Sequence, residues 1–251
     1  MLSRFFIRIS YSGANYNGWQ IQLKDKTVQG LLIEKLSVIL REPVAITGAG
    51  RTDSGVHAKC FYAHFDSASL DFKEIDKTVH QLNSILPSDI AVQSINRVKP
   101  EAHARFSALS RSYEYHLHSK KDPFLKGISY FYHGTMDIDQ MKKACSILME
   151  YNDFKSFSKN HTDVKTYNCQ LYSADWQVFG DKVIFLITAD RFLRNMVRAI
   201  VGTMLDLGKG IINLDEFRDV ILSRNRSRAG QSVPAEGLFL TDIKYPENIW
   251  L

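Results

Sequence analysis

Apolar and polar residues alternate from Leu2 to Tyr11, with Phe5, Ile7 and Ile9 on one face and Phe6, Arg8 and Ser10 on the other. That period predicts a strand. After Thr27 the period changes. Leu31, Leu32, Lys35, Leu36, Ile39 and Leu40 supply a mostly apolar helical stripe, with Thr27 as its cap. Val44 to Ile46 and the alternating run from Val56 to Phe65 read as two strands. Asp71, with Glu74 three residues on, predicts a helix that stops before Pro87, and Ile90 to Val98 predicts a further strand. The first hundred residues therefore read β-α-β-β-α-β.

The same rhythm returns without visible repetition of sequence. Leu109 to His118 predicts a strand, and Asp137 or Asp139 caps a helix running to about Glu150. Gln170 to Phe179 and Val183 to Ala189 form a hairpin across Gly180-Asp181. Helices follow from Leu193 to about Leu207 and from Asp215 to Leu222, and Leu238 to Ile243 closes as a strand. The economical architecture is α+β: two ferredoxin-like (βαββαβ) halves with antiparallel sheets, residues 1–100 and 101–251, joined near Lys99 to Arg105. No low-complexity linker separates them, so the halves are expected to pack together.

Composition narrows the class. A chain of 251 residues, 45% hydrophobic and 24% charged, can bury a sizeable core as a water-soluble protein. The segment Met1 to Tyr11 lacks an apolar signal core, and no apolar run approaches the length needed to span a membrane. Cys60, Cys145 and Cys169 are too few and too scattered for a disulfide framework, which points to free thiols in a reducing compartment, the cytoplasm. The net charge of +5 favours an anionic partner, though only mildly.

The densest chemistry lies in Gly48-Ala49-Gly50-Arg51-Thr52-Asp53-Ser54-Gly55-Val56-His57-Ala58. Glycine serves where a backbone turns tightly or a ligand approaches closely. The flanking strands place Asp53 on an inter-strand loop, beside Arg51 and two hydroxyls. The plain alternative is a turn in which Thr52 and Asp53 bond their own backbone. Two further stretches stand out. In Arg111-Ser112-Tyr113-Glu114-Tyr115, the strand period puts both tyrosines on one face, as core packing alone would also require. In Arg191-Phe192-Leu193-Arg194-Asn195-Met196-Val197-Arg198, Arg191, Arg194 and Arg198 share one face of a helix, and Leu193, Met196, Val197, Ile200, Val201 and Met204 form an apolar stripe. A solvated basic face is the alternative there.

These segments together resemble the tRNA pseudouridine synthase A (TruA-type) family. The aspartate loop matches that family's catalytic signature, which implies Asp53 as the essential carboxylate. The resemblance selects Tyr113 to contact the target base and leaves Tyr115 to the core. It pairs Arg198 with Asp53. Where many members carry histidines before Met-Val, this chain has Arg194-Asn195. No catalytic role passes to either, and Arg194 is a candidate RNA contact. His103-Ala104-Arg105-Phe106-Ser107 resembles the family's basic-Phe-Ser segment, and Pro234-Ala235-Glu236-Gly237-Leu238 the one closing the active-site side. The implied substrate-binding set is Arg51, Arg105, Tyr113, Leu193 and Arg194.

The family resemblance further implies a central basic cleft, a homodimer, and uridines at positions 38 to 40 of the tRNA anticodon arm as substrate. The reaction moves C1′ of ribose from N1 to C5 of uracil, an isomerisation that needs no cofactor. Arg51 and Arg198 would favour the charged form of Asp53, and the base must be flipped out or taken from a loop. Attack at C1′, attack at C6 and simple charge support all stay open. His57, Cys60 and His64 have a spacing that suggests zinc, but on a strand His57 and Cys60 point to opposite faces, so no metal is expected. No glycine-rich phosphate loop or nicotinamide fingerprint is present. The competing functions are a non-catalytic RNA-binding module using the same cleft, and a nucleosidase, for which Glu114 and Glu236 are faint candidates for the second acid.

Overall fold

The computed structural model describes residues 2–159 and 164–251. Contacts divide the chain into two units, Met1–Leu109 with Leu240–Leu251, and Ser110–Phe239.

In the first unit, β1 (Ser3–Tyr11) runs antiparallel to both β3 (His57–Ser67) and β4 (Ile90–Val98). The short β2 (Ile46–Gly48) lies against β3, giving the order β4-β1-β3-β2. Register places Phe5 opposite Phe65, Ile7 opposite Ala63 and Ile9 opposite Phe61, so the expected apolar face is the buried one. Phe6 departs from the alternation. It is fully buried on the face expected to be polar, because Tyr245 and Trp250 of the returning C-terminal segment meet its ring edge-on at 5.1 and 5.6 Å. No local period could announce a cover that lies 239 positions or more along the chain.

Helix α1 (Val28–Leu40) follows Thr27, whose hydroxyl accepts the Gly30 N–H. It buries Val28, Leu32, Leu36 and Leu40 at one-turn spacing. Helix α2 (Ile75–Ile85) starts later than its sequence signals suggest. Asp71 caps a 3-10 turn over Phe72–Glu74, accepting from the Lys73 N–H, and α2 grows from that turn. The helix ends just before Leu86, whose extended conformation is what the residue ahead of Pro87 must adopt.

His64, on β3, is buried, and its Nδ1 accepts the Ala104 N–H at 3.1 Å. Burial first, then His103 with ring centroids 4.5 Å apart and Arg4, push its pKa down to about 4, with Asp66 opposing. The unfolded chain therefore takes up the proton at higher pH than the native one. Stability from this residue is complete above about pH 6.5 and is lost as pH falls towards 4. Urea unfolding of His64→Gln across pH 7 to 4 should show a flatter decline than the parent, by up to about one proton. His103 is shifted in the same direction and leaves part of the slope in place.

In the second unit, β5 (Ser110–His118) pairs with β8 (Lys182–Ala189), which pairs with β7 (Leu171–Phe179), all antiparallel. The two-residue β6 (Tyr130–Phe131), which has no sequence signal, runs parallel to β5. The β7–β8 turn is Gly180-Asp181, with Gly180 at φ +60° as such a tight hairpin requires. Val183, Phe185, Ile187 and Ala189 alternate into the core, and Phe185 lies opposite Trp176 with rings 4.9 Å apart. Helices α3 (Ile138–Leu148), α4 (Met196–Gly208) and α5 (Leu214–Leu222) complete the unit. Asp137, not Asp139, caps α3 through the Gln140 N–H, and Asn213 with Glu216 forms a capping box on α5. α4 is apolar on nearly every side and forms the centre of this unit's core. All three cysteines are buried free thiols. No helix among the described residues is long and apolar enough to cross a membrane.

Candidate active site

The loop between β2 and β3 is a constructed turn. The Asp53 carbonyl accepts the Val56 N–H at 3.2 Å, and Gly55 at the third position has φ +80°. A positive φ there defines a type II turn, which a side chain would strain. The loop is also tied down from outside. Thr52 is buried, its hydroxyl 2.9 Å from the Tyr11 hydroxyl, and its carbonyl accepts the Trp19 N–H at 3.2 Å. Ser54 donates to the Tyr16 carbonyl at 3.2 Å. His57 is buried, its Nδ1 accepting the Gly13 N–H at 3.1 Å. Gly18 (φ +80°) lies so close that a Cβ would run into the Thr52 carbonyl.

The result is a half-buried Asp53 and an exposed Arg51 on a backbone braced by the Ser12–Trp19 segment. The backbone that carries both side chains is thus fixed by the scaffold, which limits where each can reach. The sequence singles out residues 12–20 as a glycine- and aromatic-rich loop, but not its role as a brace. Gly18 and Gly55, both at positive φ, make that bracing possible, and their conformation is not legible in the sequence. His57 and His64 each accept a backbone N–H within this unit. Arg105 is exposed, its guanidinium 5.4 Å from the ring centroid of the equally exposed Phe106.

The other candidates lie in the second unit, on β5 and at the start of α4. Tyr115 is buried and donates to the Pro234 carbonyl at 2.8 Å, and burial raises its pKa well above the usual phenol value. Tyr113, two residues earlier on the same face, is only half-buried. Its ring meets that of Phe192 edge-on at 5.0 Å. The structure therefore brings Tyr113 to the turn that carries Leu193 and Arg194.

Residues 191, 194 and 198 do not share a helical face. α4 begins only at Met196, because Asn195 adopts a left-handed conformation (φ 68°) tolerated by asparagine. Arg191 and Arg194 belong to the preceding turn, in which Leu193 is buried and Arg194 exposed. Asn195 donates to the Ser232 hydroxyl at 2.6 Å, a structural use. Arg198, within the first turn of α4, donates through Nε to the Val233 carbonyl at 2.7 Å, while the Val233 N–H donates to its carbonyl at 3.2 Å. This double tie orients the guanidinium and was invisible in the sequence. Gly202, one turn on, makes room for the Gln231 carbonyl, which any Cβ would strike.

Comparison with known proteins defines the class first. A family model described as tRNA pseudouridine synthase matches residues 144–246, the stretch from within α3 to just past β9 (Leu238–Lys244). Over nearly the whole chain the similarity is closer. The tRNA pseudouridine synthase A of Parabacteroides distasonis is 50% identical over 249 residues, covering 99% of this chain and 98% of that protein. The protein of that name from Bacteroides fragilis is 45% identical, covering 99% of each, and the one from Bacillus subtilis 36% identical, covering 94% and 97%. The chain belongs to the tRNA pseudouridine synthase A family, a family of isomerases.

Proposed function

We propose that this chain converts uridine to pseudouridine in the anticodon arm of tRNA, at positions 38 to 40, with Asp53 as the essential carboxylate. The observation that carries the reading is the braced loop: a half-buried aspartate held by a type II turn, a buried Thr52–Tyr11 contact and the Trp19 backbone. In the reaction the C1′–N1 bond breaks, C1′ bonds to C5, C5 gives up its hydrogen as a proton and N1 gains one. Nothing is oxidised or reduced, so no cofactor or metal enters the balance.

The roles follow from chemistry. Asp53 faces an electron-poor C1′ or C6 as nucleophile or counter-charge. Arg198, its guanidinium oriented by Val233, pairs with that carboxylate. Tyr113, half-buried and set by Phe192, packs on the flipped uracil. Arg51 enters the vacated stack, and Arg105, Arg194 and the turn at Leu193 contact the RNA. The order β4-β1-β3-β2, with α1 and α2 between its strands, supports a ferredoxin-like reading of the N-terminal part that carries the aspartate loop. The tyrosine strand and the arginine helix then belong to the C-terminal part, 101–251. A homodimer presenting a basic cleft, working in the cytoplasm, completes the proposal.

Tritium release tests it. With tRNA transcript labelled at C5 of uridine, the chain is expected to release tritium to water while leaving RNA length and base count unchanged. Binding without release would assign a non-catalytic RNA-binding module. Free labelled uracil would assign a nucleosidase.

A further inference from the structure

The second unit contains a cavity of about 220 Å³ whose charged lining, among the described residues, is basic: Lys155, Lys159, Arg224 and Arg226. Arg224 is paired with Asp153 at 2.9 Å. Arg226 is half-buried and directs its guanidinium to neutral acceptors, the Ala229 and Gly230 carbonyls and the Ser232 hydroxyl. None of these acceptors neutralises its charge. Cations gathered in a recess repel one another, and an anion seated among them removes that cost. The volume suits a phosphate group with adjoining sugar and falls below the range that holds larger cofactors.

The rim supplies two further features. The Tyr167 ring stands 5.4 Å from the Lys155 ammonium, and Asn225 stands at the opening of the 3-10 turn bearing Arg226. The wall is also continuous with the turn ahead of α4. The Lys159 N–H donates to the Arg194 carbonyl at 3.0 Å, and Arg191 reaches the carbonyl of Thr166, next to Tyr167, at 3.4 Å. The segments that carry Lys155, Lys159, Arg194 and Arg191 thus adjoin one another within this unit. Basic residues spread over adjoining segments fit a polyanion better than a single small ion.

We propose that this cavity is a phosphate site for the backbone of the RNA substrate, with Lys155 and Lys159 as its principal ligands. The choice of RNA rests on the function proposed above. The site holds the strand by charge and carries no base readout.

The test is the double variant Lys155→Gln/Lys159→Gln, two exposed side chains whose charge is removed with little change in volume. Its Kd for tRNA transcript should rise about tenfold, and the slope of log K against log salt should become shallower by about one to two. Its kcat at saturating tRNA should match the parent, and its thermal midpoint should be no lower. A matched control, Lys142→Gln/Lys143→Gln on exposed α3 positions, should bind as the parent does. Unchanged Kd and slope in the test variant, or an equal loss in the control, would overturn the proposal while tritium release by the parent left the function standing. Conversely, the shallower slope in a protein that releases no tritium would keep the site and remove the enzyme. Inorganic phosphate at constant ionic strength separates the sources. If it raised the thermal midpoint of the parent alone while tRNA affinity stayed equal, the pocket would belong to a small phosphate and not to RNA.

Discussion

Asp53→Asn is expected to lower tritium release from C5-labelled tRNA by at least about a thousandfold while leaving the fold and tRNA binding in place. Asparagine has nearly the same volume but cannot carry the negative charge the proposed reaction requires. The backbone that positions residue 53 should survive, because its ties run through the Asp53 carbonyl, the Thr52 hydroxyl and carbonyl, and the Ser54 hydroxyl. Affinity should change by no more than about threefold, since phosphate contacts dominate RNA binding. Turnover within tenfold of the parent would remove the carboxylate from its central place. A variant that lost binding and activity together would assign Asp53 to RNA capture.

Trp19→Ala should have the largest effect on stability, about 3 to 5 kcal/mol by chemical denaturation. The indole is almost completely buried, 4.1 Å from the Phe61 ring centroid and 6.4 Å from that of Tyr11. It also lies close against Gly48, where a Cβ would come within 2.9 Å of the indole atoms Nε1, Cε2 and Cζ2. Gly48→Ala should therefore cost about 1 to 3 kcal/mol in the parent. In the Trp19→Ala background the same change has space to occupy, so the double variant should be no less stable than Trp19→Ala alone. Gly50→Ala, whose Cβ would meet open space, should stay within about 0.5 kcal/mol of the parent. Additive costs for Gly48 and Trp19 would show that the ring does not set the glycine requirement.

That contrast marks the limit of what glycine content discloses. Gly48, Gly50 and Gly55 look alike along the chain, yet one yields to an indole, one is unconstrained and one supplies a positive φ. The same limit applies to the arginines. Spacing aligned Arg191, Arg194 and Arg198 on a helix, but spacing has meaning only where the helix exists, and Asn195 delays its start. Phe6 shows the converse case, a residue assigned to a polar face by its neighbours and buried by Tyr245 and Trp250. For Gly48 and Phe6 a contact distant in sequence overrode the local pattern, and for the arginines one left-handed residue inside the run did.

From the sequence alone came what depends on near neighbours: the strand periods of β1, β4, β5 and β8, the Thr27 cap, an α3 cap at Asp137 or Asp139, the Gly180 hairpin, and the clustering of Arg51 with Asp53. These rest on backbone sterics and on side chains within a few residues, and such interactions are written in local order. Tertiary structure alone decided how the Asp53 loop is braced by Trp19 and Tyr11, how Val233 orients Arg198, and how four cations from separate turns converge on one cavity. Those arrangements depend on chain segments dozens of positions apart meeting once the core has closed, and no short-range period encodes that meeting.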